Sequence, residues 1–203
     1  MTKNLSTTFT IRSRITGANR VERAGHKGGV LWFTGLPGAG KSTLAVELEW
    51  ELFNRGYSVY VLDGDNLRTG LCSDLKFSHA DRTENIRRVG ELAALFADAG
   101  TIVISAIISP YRADRHQARN AVRNTFHEVY VKADIATCEK RDPKGLYRRA
   151  RRGEISNFTG ISAPYEVPVA PDLIIDTVVD NVRTCTNNLI TYVSEQFGSN
   201  KVK

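Results

Sequence analysis

Cysteine is scarce in this chain: three in 203 residues, at Cys72, Cys138 and Cys185. They are far apart and odd in number, so they suggest neither a disulfide framework nor a zinc site, and they point to a reducing compartment, the cytoplasm. Long hydrophobic runs are also missing. The longest, such as 102–108, are strand-sized and too short to span a bilayer. The N-terminus lacks the apolar core of a signal peptide. There is no internal repeat, no low-complexity tract and no base-stacking signature of the RRM or KH type. The expectation from these absences is a protein with no membrane and no nucleic acid among its partners.

What remains is an ordinary globular composition, 41% hydrophobic and 25% charged, in a length sufficient for one α/β domain with a good core. The net charge is +6, with a pI near 9.3. The basic excess concentrates in 140–152, which holds Lys140, Arg141, Lys144, Arg148, Arg149, Arg151 and Arg152. Such a run is a solvated helix face, a footprint for a polyphosphate backbone, or a surface for a small polyanionic substrate. The last explains the charge with the least machinery.

The most informative motif is Gly35-Leu36-Pro37-Gly38-Ala39-Gly40-Lys41-Ser42-Thr43, which follows the apolar run Val30-Leu31-Trp32-Phe33-Thr34 and leads into Leu44-Ala45-Val46. G-x4-G-K-S between a strand and a helix is the phosphate-binding loop, which fixes a nucleoside triphosphate with magnesium as ligand. Its glycines let backbone N–H groups face the phosphates, and the helix beginning near Lys41 adds its unpaired N–H groups and dipole. Lys41 is expected to reach the β and γ phosphates and Ser42 to ligate magnesium.

Strands are expected at 30–34, 58–62, 101–107, 126–131 and 173–175. Helices are expected at 41–54, 80–99, 113–124, 135–141, 145–152 and 181–196, with Gly56 just past the end of the first. Residues 1–27, with Arg12, Arg14, Arg20 and Arg23, read as a loose N-terminal arm with a short helix, and 28–203 as the phosphate-loop domain. Strands alternating with helices imply a parallel sheet with right-handed crossovers, and ligands bind outside the carboxyl ends of such strands. The phosphate loop, Asp63-Gly64-Asp65-Asn66 and Ser109-Pro110-Tyr111-Arg112 should therefore meet at one crevice.

Two carboxylates beside a triphosphate site can order magnesium water or accept a proton from an attacking hydroxyl, although Asp-Gly is also a common turn. Arg82, Asn85 and Arg88 recur about one helical turn apart and share a face suited to an anion, or form a charged solvent face. Another small-molecule kinase, for gluconate, shikimate or a nucleoside monophosphate, would explain the phosphate loop and the basic lid. A non-enzymatic alternative is a nucleotide-switched binding module or a nucleic-acid binder using the basic segment.

The blocks VLWFTGLPGAGKST, LDGDNLRTGL, FSHADRTENIRRVGELAALFADAG, ISPYRADR, CEKRDPKGLYRRAR and NFTGISAPYE occur in one order across roughly residues 26–172. Together they strongly resemble the adenylylsulfate kinase (APS kinase) family in its stand-alone form. The resemblance implies an α/β P-loop kinase fold, a mainly parallel five-stranded sheet with helices on both faces and a mobile basic lid. It implies ATP and Mg2+, transfer of the γ-phosphate of ATP to the 3′-hydroxyl of adenosine 5′-phosphosulfate (APS) to give PAPS and ADP, and a homodimer. By that resemblance Asp63 is the catalytic carboxylate beside the 3′-hydroxyl and magnesium. Asp65, Arg68, Arg82 and Asn85 bind APS, Phe77 and Phe158 sandwich its adenine, Ile108 and Ser109 line the pocket, and Lys144 lies on the lid. It also brings a phosphoserine intermediate at the serine of ISPYR, here Ser109, although direct in-line attack explains the residues without one. Pro37 stands where the family often has Ser, Lys76 and Asn157 where Gly is common, and Ser162 where Asp is frequent. None of these departures removes a proposed catalytic group.

Overall fold

The computed structural model describes residues 13–198; Arg12 and the rest of the arm before it lie outside them. Eight α-helices, one short 3-10 helix (Arg123–Thr125) and five strands are described: α1 (Gly17–Ala24), β1 (Gly29–Thr34), α2 (Lys41–Asn54), β2 (Val59–Asp63), α3 (Gly64–Arg68), α4 (His79–Asp98), β3 (Ile102–Ala106), α5 (Arg112–Val122), β4 (Phe126–Lys132), α6 (Ile135–Arg141), α7 (Leu146–Arg151), β5 (Leu173–Asp176) and α8 (Val182–Phe197). The strands form one sheet in the order β2-β3-β1-β4-β5, and every pairing is parallel. This is the expected architecture, and each anticipated element is present to within two residues. Among the α-helices only α3 was not expected: Asp63 caps it, accepting the Asp65 N–H at 2.9 Å, so the Asp-Gly turn continues into a helix.

Side-chain alternation along the central strands builds two apolar layers. Leu31 and Phe33 of β1, with Ile102 and Ile104 of β3, face α2 and α8, where Leu44, Leu48, Leu52, Leu189 and Val193 complete the packing. Val30 and Trp32 face the opposite way, onto Ile86 and Val89 of α4 and Ala118 and Val122 of α5. Strands β1 and β3 are buried throughout, whereas β2 and β5 form the partly exposed edges.

Helix α2 ends as its glycine signal predicts. Gly56 sits at φ 83°, its N–H bonds Phe53 O at 2.9 Å, and the Tyr57 N–H bonds Leu52 O at 3.0 Å. This pair of bonds is a Schellman cap, which a left-handed glycine permits. At the edge of the sheet, Glu49 of α2 accepts the Val61 N–H of β2 at 3.0 Å. At the strands' amino ends His26 is 2% exposed, and its Nε2 accepts the Ser58 N–H at 2.9 Å. Nδ1 of the same ring lies 3.0 Å from Lys27 O, so the last residues of the expected arm are stitched to the sheet. Helix α1 buries no residue.

Among the described residues no helix is long and apolar enough to cross a membrane. All three cysteines are buried and free of disulfides.

Candidate active site

Because all five strands are parallel, their carboxyl ends share one rim of the sheet. A cavity of about 740 Å³ opens there, within the range of small-molecule sites. Its lining joins the phosphate loop, Asp63 and Asp65 after β2, Arg82 and Asn85 of α4, 107–110 after β3, Lys144 between α6 and α7, and Thr177 after β5. The convergence of three loop tips expected from the sequence is therefore present.

At the phosphate loop, Gly40 takes φ 100° as the N-cap of α2, a conformation that suits glycine. No side chain caps this helix end and no acidic residue lies in its first turn, so N–H groups and helix dipole are available to an anion. Pro37, Gly38, Gly40, Lys41, Ser42 and Thr43 line the cavity. The others named in the motif work from behind: Leu36 and Ala39 are buried in the core, and Gly35 packs against Val131. Lys41 is 7% exposed, and its Nζ donates to Gly35 O and Leu36 O, both at 2.8 Å. Burial pushes its ammonium down to about 8, with Cys138 and Asp63 acting in the opposite sense.

Ser42 Oγ donates to Asp63 Oδ2 at 2.7 Å, while Asp63 Oδ1 holds the Asp65 N–H. A hydroxyl and a carboxylate oxygen thus meet at the mouth of the helix. Among the described residues no group of three or more His, Cys, Asp or Glu side chains could hold a metal by itself. The pair does fit magnesium, which takes one or two protein oxygens and fills its octahedron with water and phosphate.

On the α4 side, Asn85 is 2% exposed and its Oδ1 has no hydrogen-bond partner. A buried, unmatched acceptor on a cavity wall calls for a ligand donor. Phe77 is 58% exposed on the same wall, with the Arg68 guanidinium 4.4 Å over its ring. Arg82 donates to Phe77 O, Thr159 Oγ1 and Asn157 O, and burial pulls its pKa down from the ordinary value. Asn157 has φ 55°, which explains why glycine suits that position.

Two residues named in the sequence reading lie apart from the cavity lining. Phe158 is not on the cavity wall: it is 7% exposed and packs edge-on against Tyr147 at 5.0 Å, held in the core on the α2 side. Arg88 also leaves the anion-binding face. It pairs with Asp74 at 2.6 Å and Glu84 at 2.8 Å, and does not line the cavity.

Ser109 lines the cavity with Ile108, yet it is only 1% exposed, and its Oγ accepts the Trp32 indole N–H at 3.0 Å. Four of the seven basic side chains of 140–152 carry ion pairs. Lys144 pairs with Asp65 across the cavity, which raises the Lys144 pKa; Arg151 pairs with Glu139; and Arg149 and Arg152 pair with Glu154.

Sequence reasoning passed over several residues that hold the site. Tyr147 of α7 donates to Pro37 O at 2.9 Å. Thr177 donates to Ala39 O at 2.9 Å and receives Arg141 Nη1 at 3.0 Å. Tyr147 and Arg141 lay within a quoted motif block, whereas Thr177 lies outside every block and had no local signal.

Comparison with known proteins agrees with this geometry. The family model for adenylylsulphate kinase matches residues 27–176. The adenylyl-sulfate kinase of Bacillus licheniformis is 56% identical over 183 residues, covering 90% of this chain and 93% of its own. That of Clostridium acetobutylicum is 54% identical over 183 residues, covering 90% and 92%. The structure of the Mycobacterium tuberculosis APS kinase in complex with AMPPNP and APS superposes with a TM-score of 0.80 at 45% identity, over 83% of this chain and 98% of that one. A gluconokinase from Sinorhizobium meliloti, with a TM-score of 0.54 at 15% identity over 82% of this chain and 92% of its own, shares the fold alone. With the matched model spanning most of the chain and these relatives aligned nearly end to end, the protein belongs to the adenylylsulphate kinase family.

Proposed function

We propose that this chain transfers the γ-phosphate of ATP to the 3′-hydroxyl of adenosine 5′-phosphosulfate, giving PAPS and ADP. The observation that carries the reading is the meeting of Lys41, Asp63 and the unpartnered Asn85 Oδ1 on one cavity. Family membership and the relative bound to AMPPNP and APS support it.

Donor and acceptor divide the crevice along the order of the strands. The phosphate loop follows central β1; the tips of β3 and β2 lie to one side of it and those of β4 and β5 to the other. The acceptor sits on the β2–β3 side, against Asp65, Arg68, Phe77, Arg82, Asn85, Ile108 and Ser109. ATP enters on the β5 side, beside Arg141 and Thr177, with its phosphates over α2. Lys41 exchanges its two carbonyl partners for phosphate oxygens. Ser42 and Asp63 would hold Mg2+, which neutralises charge on the phosphates when bound. Asp63 accepts the proton of the attacking hydroxyl. Lys144 and the rest of 140–152 close over the donor and exclude water, protecting ATP from hydrolysis.

The adenine stack rests on Phe77. The Trp32 bond and the burial of Ser109 favour direct transfer over a phosphoserine. Three buried, unpaired thiols support a cytoplasmic location. A homodimer is supported by Val46, Trp50 and Phe53, a stripe on the outer face of α2 with exposures of 57%, 65% and 68%.

The test is mass detection of product from magnesium-ATP with APS, AMP, gluconate or shikimate. PAPS from APS alone is expected; transfer to another acceptor in preference to APS overturns the reading.

A further inference from the structure

The acceptor wall after β3 is built around a strained residue. Ser109 has φ 40°, a left-handed conformation that costs energy outside glycine and persists only where its surroundings over-determine it. Three side chains do so. Trp32 donates Nε1–H to Ser109 Oγ at 3.0 Å. Thr34 Oγ1 donates to Ile108 O at 2.8 Å and lies 3.3 Å from Ser109 O. Arg115 Nη1 donates to Ser109 O at 2.7 Å.

Arg115 is 3% exposed and lines no part of the cavity. Its Nε meets Glu128 Oε1 at 2.5 Å and its Nη2 donates to Glu166 O at 2.8 Å. Glu166 returns two bonds to the same corner: its N–H to Pro110 O at 2.8 Å, and its carboxylate accepting the Arg112 N–H at 2.7 Å. A buried cation whose planar fork is divided between two loop carbonyls and one carboxylate fixes geometry in a way a lysine cannot. Core stability alone would not require a left-handed serine at a cavity wall. The strain and the polar bonds that hold it coincide at one residue, on the β3 tip that faces the acceptor.

We propose that Arg115 and Trp32 are positioning residues for the acceptor nucleotide: they hold Ser109 left-handed, so that 107–110 presents a preformed wall to APS. They act through Ser109 and touch neither substrate. The donor site on the β5 side does not depend on them. This inference rests on the proposed transfer from ATP to APS.

The decisive variant is Trp32→Phe, which removes the indole N–H while keeping a ring against Phe126, now 5.6 Å away between centroids. The expected result is a KM for APS raised about three- to tenfold, the size of one lost hydrogen bond, with the KM for ATP unchanged within about twofold. Arg115→Lys should give the same split with a larger loss of thermal stability; if it does not fold, Trp32→Phe still decides. Equal rises in both KM values or an unchanged KM for APS would overturn the inference. An active wild type with any of those results sinks the positioning role alone, whereas a wild type that makes no PAPS sinks the transfer reading and this inference with it.

Discussion

Tyr147 in the lid helix donates its hydroxyl to the Pro37 carbonyl of the phosphate loop at 2.9 Å. The lid and the donor cradle are thus joined by one bond between residues 110 apart in sequence. Tyr147→Phe keeps the ring against Phe158 and removes that bond together with the hydroxyl's contact with the Cys138 thiol. ATP affinity should fall about two- to tenfold, as for one lost hydrogen bond, with APS affinity unaffected. Calorimetric titration with each nucleotide measures this; equal losses for both would contradict a donor-side role.

Lys41 gives a pH-dependent prediction. Burial lowers its pKa from 10.5 to about 8 in the folded chain. Between those limits the unfolded chain holds a proton that the folded chain has released. Stability from this group therefore rises as pH climbs through that window, and the desolvation penalty is complete below it. A bound triphosphate favours the charged form and pulls the proton back. At a pH half a unit above the Lys41 value, ATP binding should take up roughly half a proton or more per site, and almost none well below it. Calorimetry in buffers of different ionisation enthalpy reads this directly. Lys41→Met should abolish the uptake.

Asp63→Asn should leave ATP binding close to normal and reduce turnover about 10²- to 10⁴-fold, since in the proposed reaction the carboxylate acts on charge that changes during transfer. Unchanged turnover would leave Asp63 with no base or metal-ordering role. Ser109→Ala bears on the alternative chemistry. It should retain turnover at saturating APS, and loss of nearly all activity with the fold intact would reinstate a phosphoserine.

His26 tests stability far from the chemistry. Replacing it with Phe removes the acceptor for the Ser58 N–H at the amino ends of the strands. The cost should be about 1 kcal/mol, lowering Tm by about 2–4 °C in a domain of this size. Turnover should not change, which a steady-state assay at a temperature well below Tm can establish.

Trp50→Glu places charge in the exposed stripe of α2. If that stripe pairs two copies, sedimentation should show a dimer for the natural chain and a monomer for the variant. A dimer that survives the change would move the interface elsewhere.

The order of strands and helices was legible because each element carries its own period and punctuation. Gly56 marked the end of α2, and Pro110 and Gly100 bracketed β3. The phosphate loop was legible because its function is a local backbone geometry. What escaped depends on distant partners. Arg88 read equally as a ligand arginine or as part of a charged solvent face, and its pairing with Asp74, 14 residues away, is what separates the two. The stacking role of Phe158 came from the family resemblance alone; a single phenylalanine more often packs in a core, and this one packs on Tyr147. The Trp32–Ser109 bond spans 77 residues and leaves no trace in either neighbourhood.

The Glu49 carboxylate on the Val61 N–H has a consequence for assembly. Strand β2 ends the sheet, and an open edge invites a foreign strand to extend it. With that donor already answered from within, two molecules cannot simply zip their sheets into one through this position. The outer edge of β2 is thereby guarded against runaway β-stacking at this position for as long as α2 stays folded.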